Sequence, residues 1–136
     1  MATLKISELS VGDWVQYRDR ELQVCSLYQF TGEVGLWRKD SQICENVADC
    51  KPIPITAEIL EANGFVRGKR GGFYYYLLLD KNRTLYIHAS TNGWRVEITY
   101  DAAGILRTTH LMPDMNSVHD IQHALRLAGV DKEINL

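Results

Sequence analysis

The residues from Trp94 to Tyr100 constrain the fold of this chain more than any others. Trp94, Val96, Ile98 and Tyr100 alternate with Arg95, Glu97, Thr99 and Asp101. A period of two marks a strand with one buried face and one wet face. A slip of one residue would bury Arg95 and Glu97, so the register is well specified. Asn92-Gly93, just ahead, supplies the positive φ of a tight hairpin. Upstream, Phe73 to Leu79 is apolar or aromatic without a break, bounded by Gly71-Gly72 and Asp80. That run is too short for a buried helix and predicts a strand covered on both faces. Leu85-Tyr86-Ile87-His88 lies between turns at residues 81–83 and 91–93, completing three strands of a meander. After the turn Asp101–Gly104 a fourth strand is expected from Ile105 to Leu111, ended by Pro113 and Asn116.

The N-terminal part reads as short strands. Val11-Gly12-Asp13-Trp14-Val15 opens the first, Arg18–Glu21 forms a charged turn, and Leu22, Val24, Ser26, Tyr28 and Phe30 alternate along the second. Val34-Gly35-Leu36-Trp37 gives a third, and Ile43 to Val47 a fourth. Short strands punctuated by glycine predict a small SH3-like barrel or a curled sheet. Pro52-Ile53-Pro54 holds the chain extended as a connector. Thr56 is a good N-cap, Glu58 suits the positive end of the helix dipole, and Asn63-Gly64 ends a helix of about two turns. Ser117 caps a second helix, Val118 to Ala128, stopped by Gly129. At about 100° per residue, Val118, Ile121, Ala124, Leu125 and Ala128 share an apolar face, with His119, His123 and Arg126 opposite. The tail from Val130 to Leu136 carries no clear signal.

The reading is thus α+β: an SH3-like subdomain over residues 1–55, then helix, four-stranded antiparallel meander and helix over 56–136, packed as one unit. A chain of 136 residues buries roughly two thirds of its surface on folding, so neither metal nor disulfide is required. A net charge of −2 gives no global field toward nucleic acid or acidic lipid. Cys25, Cys44 and Cys50 contain no Cys-x-x-Cys and read as reduced thiols. No apolar run approaches the roughly 20 residues of a membrane helix, and no signal-peptide core opens the chain, so the expected location is the cytoplasm.

The residues offer three candidate chemistries, each with a plainer alternative. His119 and His123, four apart on a helix, can chelate zinc with a third ligand from His110, Asp114 or a cysteine. The glutamate of metalloprotease helices is missing, and a solvated or partner-facing polar helix face explains the pair as well. Arg67, Lys69 and Arg70 beside Phe73–Tyr76 could neutralise phosphates while the rings stack bases. The bland account is a solvated loop leading into core tyrosines. No Gly-x-Ser-x-Gly or catalytic cysteine context occurs, and Asp13 and Glu97 read as exposed strand carboxylates, so no enzyme, cofactor or metal is expected. The large aromatics Trp14, Trp37 and Trp94 either anchor the core or mark a binding surface.

Val11–Val15, Pro52–Leu60 with Asn63-Gly64-Phe65, and Val118–Gly129 occur in the order seen in a group of small proteins from Bacteroides-type gut bacteria and their phages and mobile elements. The chain resembles that group over most of its length, departing at Ala128, where a cysteine is frequent. The resemblance implies an accessory protein and carries no catalytic residue. The resulting expectation is a non-enzymatic binding or adaptor protein acting on a protein partner or on itself, with His119, His123 and Arg126 as partner-facing residues. Its alternatives are a nucleic-acid-binding accessory protein using Arg67, Lys69 and Arg70, and a small metal-dependent protein with a site near His119 and His123.

Overall fold

The computed structural model describes residues 4–69, 74–90 and 93–136, without the side chains of residues 90, 102 and 109–114. The chain divides into two units: the N-terminal segment to Pro54 together with Ser117–His119, and Ile55–Asn116 together with Asp120–Leu136.

The first unit is one antiparallel sheet. Its strands are β1 (Trp14–Tyr17), β2 (Arg20–Tyr28), β3 (Glu33–Arg38), β4 (Ser41–Asn46) and β5 (Cys50–Lys51), in the spatial order β4-β3-β2-β1-β5. Two-residue turns, Arg18-Asp19 and Lys39-Asp40, join β1 to β2 and β3 to β4. Both place a basic residue at positive φ, 54° at Arg18 and 58° at Lys39. Primed turns with that φ match the right-handed twist of the strands they connect. One face buries Leu9, Val15, Val24, Val34, Leu36 and Cys50 as a continuous apolar cluster. Gly35 on β3 leaves room for Ser26 Oγ and Gln42 Nε2, which a Cβ there would displace. Asp13, expected at the surface, is fully buried and its Oδ2 accepts from the Ser10 N–H at 2.7 Å.

The sheet does not close, and the SH3-like barrel expected over residues 1–55 is not formed. Closure would require the edge strands β4 and β5 to pair. β5 is two residues long, and Pro52 follows with no N–H to donate. β4 alternates exposed and half-buried residues and has no fully buried face. Burial first, then the influence of Glu45 on β4, raises the Tyr17 phenol pKa above its ordinary value. The extended segment after β5 pairs Pro54 with Ser117, and the Ile53 carbonyl accepts from the Val118 N–H at 2.8 Å.

The second unit holds α1 (Ala57–Ala62), β6 (Val66–Arg67), β7 (Tyr74–Leu78), β8 (Arg83–Ser90), β9 (Gly93–Ala102), β10 (Ile105–Met115) and most of α2 (Val118–Leu127). Its strands make a second five-stranded antiparallel sheet, β10-β9-β8-β7-β6. The expected layout of helix, four-stranded meander and helix is therefore overturned. Val66 and Arg67 add a strand by pairing with Tyr76 and Tyr75, and the helices are only six and ten residues long. The molecule is mostly two antiparallel sheets. Thr56 does cap α1, accepting from the Ile59 N–H at 3.2 Å, and Gly64 follows at φ 88°. The turn at residues 91–92 and the strand start at Phe73 lie outside the described residues.

The tail is clamped by two buried amides. Gln122 of α2 accepts from the Ile134 N–H at 2.7 Å and donates to the Lys132 carbonyl at 3.1 Å. Asn63 accepts from the Asn135 N–H at 2.8 Å and donates to the Asn135 carbonyl at 2.9 Å. Ile134 is fully buried between these anchors in the sequence of the tail.

Candidate functional site: the open face of the second sheet

The second sheet has two unlike faces, and registry assigns each residue to one of them. Tyr75, Leu85, Ile87, Val96 and Ile98 share a face and are each 1% exposed or less. The helices lie on that side. Leu77 approaches the position of a Cβ on Gly64, just after α1, and Arg83 Nη1 donates to the Ala128 carbonyl beyond α2 at 3.5 Å. Tyr75 faces Trp94 with ring centroids 6.3 Å apart. Burial raises its phenol pKa above the ordinary value; Glu61 adds to the shift and Arg67 opposes it.

The other face carries Tyr74 and Tyr76 on β7, Tyr86 and His88 on β8, and Arg95 and Glu97 on β9, aligned as Tyr74–His88–Arg95 and Tyr76–Tyr86–Glu97. The expectation that Phe73–Leu79 is covered on both faces is corrected here. Tyr74 and Tyr76 are half-buried and Leu78 is 70% exposed. No helix among the described residues of this unit lies over them. Tyrosine tolerates such a position because its ring packs sideways while its hydroxyl meets water.

The rings form a connected group. Tyr74 lies 6.0 Å from Tyr86 and 5.6 Å from His88, Tyr76 lies 6.4 Å from Tyr86, and His88 stacks on Tyr86 at 5.9 Å. Gly68 makes room for Tyr74, since any Cβ there would overlap the ring. Glu97 closes the group. Its carboxylate receives Arg95 Nε at 3.2 Å and lies 3.4 Å from His88 Nε2, and its side chain is only 14% exposed. Further along the same face Thr99 and Thr108 hydroxyls meet at 3.4 Å. The surface is therefore aromatic and hydroxylated, with the Glu97 carboxylate at its centre engaged by a cation and Asp101 further along β9.

The residues singled out from sequence lie elsewhere. Arg67 is paired with Tyr75 and so projects from the helix side of the sheet, away from Tyr74 and Tyr76. Lys69 is exposed on the following loop, and Arg70 lies outside the described residues. His119 is 4% exposed, with Nδ1 at 3.1 Å from Ser117 Oγ, whereas His123 and Arg126 are half-buried. Arg126 reaches Glu133 at 3.8 Å. Among the described residues no three His, Cys, Asp or Glu side chains are grouped to hold a metal ion, and the side chains of His110 and Asp114 lie outside them. All three cysteines are free. No described helix is long and apolar enough to cross a membrane. Sequence reasoning missed Tyr86 and His88, although Leu85 and Ile87 alternate with them and marked the split.

No family model matches the chain, and no curated protein or solved structure matches it.

Proposed function

We propose that this chain is a non-enzymatic binding protein whose contact surface is the open tyrosine face of the second sheet, and that the partner is a protein. One observation supports the reading: Tyr74, Tyr76, Tyr86 and His88 form a connected aromatic group on the face that carries no helix. Tyrosine and arginine are the residue types over-represented in protein interfaces, and they supply large contact area with few rotatable bonds. The local charge is balanced by the Arg95–Glu97 pair, which suits a protein surface better than a polyanion. A cytoplasmic accessory role, as in the Bacteroides-type and phage proteins the chain resembles, belongs to the same proposal.

The test compares wild type with Tyr76→Ser/Tyr86→Ser. Both positions are half-buried on the helix-free face, so the variant should keep its circular dichroism spectrum. Affinity purification with identification of the retained proteins, and light scattering over a wide concentration range, should show a partner or an oligomer that the variant loses. Identical partners and identical mass for both proteins would refute the assignment of the face.

A further inference from the structure

We infer that the first unit carries a second, separate site, for the phosphates of a single-stranded nucleic acid. A concavity of about 540 Å³ opens at one end of the first sheet, between the β1–β2 and β3–β4 turns. Its rim is Arg18, Arg20, Arg38 and Lys39, and Tyr17, Leu22 and Ile43 also line it. Registry explains the arrangement. Arg20 pairs with Tyr17, and Leu22 with the buried Val15, so Arg20 and Leu22 point to the core side of the sheet. Arg38 likewise continues the parity of buried Leu36. The apolar inner face thus runs out into cations at its open end.

These cations outnumber the carboxylates of the lining, although Glu21 and Asp40 stand beside them in sequence. All four are exposed, and none takes part in an ion pair among the described residues. Asp19 is the only carboxylate in the lining, while Glu45 and Asp49 sit on the far side of Tyr17 and Arg18. In a chain of net charge −2, four cations against one carboxylate in the lining make a local excess of positive charge. Arg18 also lies over the Tyr17 ring, 5.3 Å from its centroid, a cation–π contact within the lining.

The chemistry selects the ligand. The two turns are two strand spacings apart, about 10 Å in the plane of the sheet. That spread is too wide to converge on one phosphate and suits successive phosphates of a strand. The apolar lining can take an unpaired base, which a duplex does not offer. The site shares no residue with the tyrosine face, so the two readings fail independently.

Fluorescence anisotropy of a labelled single-stranded oligonucleotide tests the inference. With three to four phosphates engaged, log affinity should fall with log salt at a slope of about −2 to −3, roughly 15- to 50-fold between 50 and 200 mM. Arg20→Gln/Arg38→Gln should weaken binding at low salt and reduce the slope by about 1.4. Lys39→Gly removes a cation at a position whose positive φ glycine prefers, so it should weaken binding without loss of fold. Tyr76→Ser/Tyr86→Ser should bind like wild type. Absence of binding at low salt, or unchanged affinity and slope in both cation variants, would overturn the inference. Displacement of the strand by an equal concentration of a nucleoside triphosphate would overturn the choice of ligand.

Discussion

Replacing Gln122 with leucine should release the C-terminal tail while leaving both sheets formed. Gln122 is 1% exposed, and its amide makes two bonds to the tail. In Gln122→Leu the buried Ile134 N–H loses the Gln122 Oε1 acceptor, at a cost of about 1–3 kcal/mol. The Lys132 carbonyl belongs to a half-buried residue and can be rehydrated, adding about 0.5 kcal/mol. The sum, about 1.5–3.5 kcal/mol, is read most directly as local opening. Amide hydrogen exchange at Ile134 should quicken by about 10- to 400-fold under conditions where strand amides of β8 exchange as in wild type. Leucine nearly matches glutamine in volume, so a cavity does not confound the comparison. Exchange at Ile134 within about threefold of wild type would refute the claim that the two amide bonds hold the tail.

Other perturbations test other joints. Burial pushes the Cys50 thiol from 9.0 up to about 11, with Asp49 and Glu45 adding to the shift. The unfolded thiol ionises first, so its contribution to stability is intact below about 9 and is lost as pH rises toward about 11. Urea denaturation across that window should show a steeper decline for wild type than for Cys50→Ala, and iodoacetamide should label Cys44 well before Cys50. Gly93 sits at φ 139°, and a Cβ would strike Asn116 Oδ1 and the Met115 carbonyl. Gly93→Ala should therefore destabilise by more than about 2 kcal/mol in the same assay. Thr56→Ala removes the α1 cap and should cost about 1 kcal/mol, with a larger loss pointing to a role beyond capping.

The sequence was most informative where a residue's neighbours along the chain decide its environment. The period of two from Trp94 to Ile98 placed Val96 and Ile98 inside, and Thr56 and Gly64 bracketed α1. Barrel closure was illegible because it depends on the two edges, β4 and β5, that meet only in space. His119 falls opposite the apolar stripe of α2, yet it is buried, at the end of the helix where the Val118 N–H is bonded to Ile53. The open tyrosine face was hidden for a chemical reason. Tyr74, Tyr75 and Tyr76 are one residue type on two faces, so a hydropathy period cannot separate them. Only registry with Leu85-Tyr86-Ile87-His88 does. The basic rim was hidden because Arg18–Arg20 and Arg38–Lys39 are some twenty residues apart and each reads as an ordinary charged turn.

The proposed binding role depends on the unlike faces of the β7 strand, and residue-resolved tyrosine nitration measures that difference directly. Nitration requires an accessible phenol that can ionise. Tyr76 and Tyr86 should react, while Tyr75, 1% exposed with its pKa raised by burial, should remain unmodified until the protein unfolds. Peptide mapping that found Tyr75 modified as fast as Tyr76, or all three protected alike, would contradict an open tyrosine face and the binding role built on it.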